Sequence, residues 1–538
     1  MRRTAMTDYA ESYRGFAWDL PETFNFGGDV IDRYAEDPNN LALIWCNAAG
    51  DERRFTYADI KALSNRFANL LREHGVKRGD RVVVMLPRIP EWQIAMVGCL
   101  KLGAVPIPAI TMLTAKDMAY RVAHSGAAAI VTTRENTQKF DEVAPVRLRI
   151  SVGGGDRDWL DYATAMAAQS ENFAPVATGI EEPAVMYYTS GSTGDPKGVT
   201  HAARGLFTWR VSSWFWHDLS EADVMWCSAD TGWSKAGTSV LFGPWSCGAT
   251  VLFYDGDFDP HDRFRLLEKY GVTVFCAAAT ELRRLILEDT AAYDLAPLRL
   301  TVSAGEAVNP EIIDRWHDIT GGPLLDGYGL TEALMVATNY PCMPVKPGSM
   351  GRPLPGTQTL IIGDDDRPLP VGETGRLVVR MPNPQVMIGY WQDPGRTAQC
   401  YVTVDGADYF VTGDEAYQDA DGYLFYQGRA DDVINASGYR IGPMEVENAL
   451  MAHPAVQECA AVGSPHPERG EVVKAFIILN AGFTGDDALV QALQDHVKQV
   501  TAPYKYPRKM EFVDDLPKTI TGKIRRRDLR DREYAGGS

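Results

Sequence analysis

The chain predicts an α/β protein. A large N-terminal domain of parallel-rich βαβ sheets with a β-rich subdomain is followed by a small, mobile α+β domain. Three observations carry this expectation. Helical and strand patterns alternate up to Ser303, turn residues crowd 351–426, and a new α+β pattern begins beyond a glycine- and charge-rich segment. In order, 57–74 (YADIKALSNRFANLLREH) carries apolar residues at helical spacing and stops at Gly75. Residues 81–86 (RVVVML) read as a buried strand, 92–102 as a second helix and 104–110 as a short, proline-bearing strand. The short apolar signal recurs at 127–132, 249–253, 272–277 and 298–303, as βαβ units require. Over 351–426 the turns are dense (GDDDRPLPVGETG) and the strands short, at 358–362 and 375–380. The boundary falls within GRADDVINASGYRIGP, 428–443, a short charged segment suited to a hinge between two poses. It gives domains at 1–430 and 431–538. The second holds a helix (444–453), strands (457–462 and 471–479), a helix (487–500) and a strand (509–513).

Composition narrows the function classes. At 538 residues the chain exceeds one core, and hydrophobic residues at 45% with charged residues at 23% are ordinary for a soluble globular protein. A net charge of -18 argues against nucleic acid as a partner. Eight scattered cysteines without a CxxC pair read as buried thiols in a reducing compartment. The opening MRRTAMTDYAESYRGF has no apolar h-region, and no run of about 18 apolar residues occurs. A cytoplasmic location without stable membrane insertion is expected, and a homodimer is compatible with it.

The motif YYTSGSTGDPKGVTH, 187–201, carries the chemistry. Ser190, Gly191, Ser192, Thr193 and Gly194, followed by Lys197, can turn backbone N–H groups, hydroxyls and one ammonium toward a polyphosphate. It is not the GxxxxGK[ST] loop, because no Ser or Thr follows the lysine. Further along, SAGEAVNPE presents Gly305 at a strand end, where a flat ligand can approach closely. In DGYGLTE (Asp326, Gly327, Tyr328, Gly329, Leu330, Thr331, Glu332) a tyrosine can stack on a purine, a threonine can bond a phosphate and a glutamate can reach a hard cation. YFVTGD ends at Asp414, whose two oxygens suit the two hydroxyls of a ribose, and PKTITGK presents Lys523 after a glycine.

In this order, the motifs resemble those of the adenylate-forming superfamily. The chain is most similar to the medium-chain acyl-CoA synthetases, over about 20–530 and especially in GRADDVINASGYRIGP and APYKYPRKMEFVDDLPKTITGK. The resemblance implies a two-step ligase using ATP, Mg²⁺ and coenzyme A. A carboxylic acid attacks the α-phosphate to give acyl-AMP and pyrophosphate, and the thiol of CoA then displaces AMP. It implies that Thr189 to Lys197 hold the phosphates, Thr331 contacts the α-phosphate and Glu332 binds Mg²⁺. Asp414 takes the ribose. Gly305, Glu306 and Ala307 form the adenine wall with Tyr328, although many relatives carry proline at Ala307. Arg429 and Arg440 complete the nucleotide set, and Lys523 bridges carboxylate and α-phosphate in adenylation. The small domain then turns about Asp431, bringing Ser437, Gly438 and Tyr439 to the pantetheine channel and Arg469, Tyr506 and Arg508 to the CoA nucleotide.

Trp233 and Gly305 are expected at the acyl pocket, floored at Gly329 where acetyl-CoA synthetases carry Trp. An acid larger than acetate (medium-chain, branched or aromatic) should fit, and Gly329→Trp should return bulk to the floor. The aromatic run Trp209, Trp214, Phe215, Trp216 is expected to be core rather than pocket lining. The alternative is an acyl-AMP ligase that hands its acyl group to an acceptor other than CoA.

Overall fold

The computed structural model describes residues 5–189, 195–306, 308–430, 432–436, 439–466, 470–518 and 524–535. The helix expected over 57–74 is Tyr57–Glu73. Thr56 caps it by accepting the Asp59 N–H, Asp59 returns the bond to the Thr56 N–H, and Gly75 at φ +75° turns the chain away. It packs on Pro90–Leu102, a helix apolar on every side and buried along nearly its whole length.

A nine-stranded sheet forms the centre. Leu324–Leu330, Leu300–Ala304, Val274–Cys276, Val224–Cys227, Thr250–Asp255 and Leu41–Asn47 run parallel in that spatial order. Glu52–Thr56 closes one edge antiparallel; Leu334–Thr338 and Arg352–Pro353 close the other. A second, parallel sheet of five strands orders Val105–Pro108, Arg81–Met85, Ala129–Thr133, Leu148–Val152 and Leu160–Asp161. The short apolar runs are therefore two-face-buried strands, as their lack of alternation requires. Trp209 and Trp216 lie inside the main core, as expected of that aromatic run.

The β-rich region is an antiparallel sheet of Thr359–Ile362, Gly375–Arg380, Ala407–Gln418 and Tyr401–Val404, with Leu424–Arg429 paired to Ala407–Gln418. Beyond Arg429 lies an α+β unit whose sheet orders Tyr439–Ile441, Ile434–Ala436, Gly470–Leu479 and Val456–His466, with Lys509–Phe512 parallel to Gly470–Leu479. The helix expected over 487–500 is Asp487–Val500. Its apolar clusters draw only on residues from Ile434 onward, so this unit has its own core. The closing helix Arg526–Ala535 was not legible from the sequence.

A small third sheet matters most for the site. Pro183–Thr189 and Lys197–Ala202 form a hairpin, and Gly389–Tyr390 adds to its outer strand.

Candidate active site

Parallel strands of the central sheet end together, the usual place for a ligand in such sheets. Leu300–Ala304 delivers Gly305 at φ +90°, with no other atom within 4 Å of where a Cβ would stand. Glu306 accepts the Thr280 N–H through Oε2 at 3.2 Å, and Ala307 lies outside the described residues. On the neighbouring strand Asp326 is buried and accepts the N–H of Gly327 at 2.9 Å and of Val308 at 3.3 Å. Burial pushes its carboxyl up to about 7. Gly327 is enforced from below, because a Cβ there would stand 3.0 Å from the Trp216 ring and 2.9 Å from Met335.

Gly329 changes one expectation. A Cβ at this position would stand 2.3 Å from the Leu334 carbonyl oxygen, across the irregular pairing of Leu324–Leu330 with Leu334–Thr338. Gly329→Trp would push the backbone apart before it filled any pocket. The glycine is required by the close approach of the two strands, and Leu330 pairs with Leu334 beside it.

Tyr328 and Asp414 meet across the site. The Tyr328 hydroxyl donates to Asp414 Oδ2, and burial followed by the Asp414 charge raises the phenol well above its ordinary range. Asp414 and Arg429 are register partners on adjacent strands, with Nη1 3.4 Å from Oδ1. The backbone pairing thus sets a carboxylate, a guanidinium and a phenol together.

Thr331 and Glu332 follow the strand and are held from three sides. His201 Nε2 lies 2.6 Å from the Thr331 carbonyl, which can only accept, so Nε2 carries the proton. Burial lowers this imidazole to about 4 and keeps it neutral. Thr331 Oγ1 is 3.1 Å from Ser234 Oγ, on the turn after Trp233, and Trp233 is half-buried against the apolar cluster beneath. Tyr390 donates its hydroxyl to Glu332 Oε1 at 2.9 Å, while Lys197 Nζ stands 5.1 Å from the centre of the same ring. Met387 N–H donates to the Glu332 carbonyl at 2.7 Å, and Trp391 N–H to that of Gly198 at 2.7 Å. The 386–391 segment is a splint between the lysine and the glutamate.

Mg²⁺ is commonly held by one or two carboxylates plus substrate phosphates. Among the described residues no group of three or more His, Cys, Asp or Glu could hold a metal alone. Glu332, half-exposed and oriented by Tyr390, fits the single-carboxylate mode.

Thr189 and Lys197 are register partners at the mouth of the hairpin, and Ser190, Gly191, Ser192, Thr193 and Gly194 between them lie outside the described residues. So do Asp431, Ser437, Gly438, Arg469 and Lys523. The flanks of Lys523 are described: Lys518 and Ile524 form an antiparallel bridge. Tyr439 and Arg440 lie in the strand Tyr439–Ile441. Arg508 donates to the Tyr506 hydroxyl at 2.6 Å and lies 4.7 Å over its ring, with Lys498 also 4.5 Å from that ring. His201, Ser234, Lys235 and Tyr390 escaped the sequence reading. His201 left a signal as the last residue of the glycine-rich motif, and Ser234 and Lys235 as the residues directly after Trp233.

The comparisons agree with this geometry. The AMP-binding enzyme family matches residues 31–391, and the AMP-binding enzyme C-terminal domain matches 445–523. The chain is 41% identical over 548 aligned positions to human "Acyl-coenzyme A synthetase ACSM3, mitochondrial", covering 98% of this chain and 93% of the relative. The crystal structure of the anthranilate CoA ligase AuaEII in complex with anthranoyl-AMP superposes with a TM-score of 0.88 at 30% identity, over 97% of this chain and 99% of that one. A benzoate CoA ligase from Burkholderia xenovorans LB400 gives 0.84 at 29% identity, over 94% of this chain and 100% of that one. With its nucleotide motifs gathered at the strand ends and both family regions matched, the chain belongs to the AMP-binding enzyme family, among its adenylate-forming acyl-CoA synthetases.

Proposed function

We propose that this enzyme activates a carboxylic acid larger than acetate as acyl-AMP with MgATP, then passes the acyl group to CoA. The observation that carries the reading is the Lys197–Tyr390–Glu332 arrangement, which sets a phosphate-binding cation beside a cation-binding carboxylate. A carboxylate is a poor nucleophile toward a polyanion, so positioning and charge neutralisation dominate the first step. Thr331 would contact the α-phosphate with its carbonyl side fixed by His201. Asp414 would hold the ribose and the Gly305 turn would admit the adenine. Bound Mg²⁺ would offset phosphate charge, with Glu332 as its protein ligand. Lys523 would bridge the acid and the α-phosphate. The division near 430–431, with Asp431 as hinge, draws support from the separate C-terminal core. The basic face of Lys498, Tyr506 and Arg508 suits the CoA nucleotide.

The AuaEII and Burkholderia relatives are named for anthranilate and benzoate, which favours aryl acids within the proposed class. Pyrophosphate release and thioester formation across a panel of aliphatic and aryl acids test the reading. Lys523→Ala should cut acid-dependent pyrophosphate release by about 10²-fold or more, yet still convert supplied acyl-AMP and CoA to thioester. Equal loss of both half-reactions would overturn the lysine's role. Acyl-AMP that accumulates without any CoA thioester would favour the acyl-AMP ligase alternative.

A further inference from the structure

Lys235 is a cation that the nucleotide chemistry leaves unused. It lies one residue beyond Ser234, whose hydroxyl meets Thr331, and its Nζ donates to the Ala304 carbonyl at 3.2 Å, next to Gly305. It therefore stands between Trp233 and the Gly305 turn, the walls assigned to the acyl group. An ammonium has three donors, and among the described residues the Ala304 carbonyl is the acceptor it reaches. Burial disfavours the charge, but Cys276, Cys227, Glu306 and Glu281 outweigh that and raise the lysine above its ordinary range. The two glutamates already have partners. Glu281 pairs with Arg263 at 2.6 Å and accepts from Ser228, while Glu306 accepts from Thr280. Cys227 and Cys276 are register partners at the strand ends beneath, and buried His217 is held neutral by burial and by Lys235.

Two further features mark the spot. The backbone directly after Lys235 and Ala236 is a π-helical turn, Gly237–Leu241, an irregularity frequent at functional sites. A Cβ at Gly237 would stand 2.7 Å from the Tyr187 hydroxyl, which is buried without a hydrogen-bond partner among the described residues. A purely hydrocarbon acid would leave these donors desolvated and unspent, an arrangement that costs binding energy.

We propose that Lys235 is a specificity-determining residue whose ammonium binds an oxygen on the body of the acid, away from the reacting carboxylate. The substrates are then hydroxy, oxo or dicarboxylic acids rather than plain hydrocarbon acids. This rests on the acyl-CoA synthetase reading above and narrows its substrate class.

Matched acids test it: benzoate against 3- and 4-hydroxybenzoate, and hexanoate against 6-hydroxyhexanoate and adipate, each followed by pyrophosphate release with ATP and CoA. The wild type should favour an oxygen-bearing member of a set by at least about tenfold in kcat/KM. Lys235→Met should cut that preference by about tenfold or more while leaving the KM for ATP unchanged. Lys235→Gln should retain part of the preference for hydroxy acids and lose that for adipate, which separates a neutral oxygen from a second carboxylate. If Lys235→Met proves unfolded, the wild-type ratios still decide: preference for the unsubstituted acid in every set overturns the proposal. Equal loss for all acids in a folded Lys235→Met would also overturn it, because the lysine would then serve the reacting carboxylate or ATP. No turnover of any acid would reject the underlying reading as well.

Discussion

Tyr390 serves two charges at once, its hydroxyl on Glu332 and its ring face on Lys197. Burial and Glu332 raise the phenol, so it stays a donor at any working pH. Tyr390→Phe keeps the ring and removes only the bond to the carboxylate. A hydrogen bond to a charged group is worth about 1.5–3 kcal/mol, so binding of a non-hydrolysable ATP analogue should weaken about ten- to a hundredfold when Mg²⁺ is present. Calorimetric titration with and without Mg²⁺ measures this, and equal weakening in both would show that Glu332 needs no orienting hydroxyl. Asp326 gives a pH test. Its carboxyl is raised from 3.8 to about 7 by burial, so the stability it contributes is complete below about pH 4 and is lost as pH rises through 7. Asp326→Asn cannot ionise. Between pH 4 and 8 the variant should therefore gain on the wild type, by up to roughly 4 kcal/mol. Parallel denaturant curves at both pH values would contradict this if their separation did not change.

At the scale of elements, the splint is anchored by Arg204. Its Nη1 donates to the carbonyls of Pro384 at 2.7 Å and Val386 at 2.6 Å, and its Nε to Glu181 at 2.8 Å. Arg204→Ala should cost about 1–3 kcal/mol in urea unfolding and weaken ATP binding more than acid binding, since the freed strand carries Tyr390. Equal effects on both ligands would mean that the arginine supports the fold alone. The sequence revealed the helices 57–74 and 487–500 because periodicity and caps agreed, and the parallel strands because their apolar runs admit no solvated face. It did not reveal Gly389–Tyr390, whose pairing depends on a distant hairpin that no local pattern encodes. The helix Arg526–Ala535 was hidden by its charge. Leu529 is buried, but ion pairs do much of the holding, Arg526 to Glu447 at 2.6 Å and Glu533 to Lys474 at 2.7 Å. Glycines in DGYGLTE were legible as a motif, but the reasons for two of them, Trp216 under Gly327 and the Leu334 carbonyl beside Gly329, are tertiary.

For the whole molecule, the decisive feature is that the unit beyond Arg429 packs around its own apolar clusters and meets the β-rich sheet through Gly428 and Gln427. Such a unit can turn without unfolding, provided a few dihedrals between the two bodies are free. Asp431→Pro fixes one of them near about -65°. Acid-dependent pyrophosphate release should survive while thioester formation from supplied acyl-AMP and CoA falls by an order of magnitude or more. Normal overall turnover would show that the rotation does not pass through this residue.

Asp414 shows how the fold accommodates a carboxylate in a buried position. A carboxylate waiting in a buried site ordinarily lowers the stability of the empty enzyme, and removing it often raises the melting point at the expense of activity. Here Tyr328 donates a hydrogen bond to it and Arg429 pairs with it, so a ribose bound as proposed would trade places with standing partners. Specificity and robustness are thereby uncoupled at this position. Asp414→Ala should abolish measurable ATP binding and also lower the melting temperature, because it takes the hydrogen-bond acceptor away from the Tyr328 phenol. A variant that melts higher than the wild type would mean that the waiting charge was strained after all.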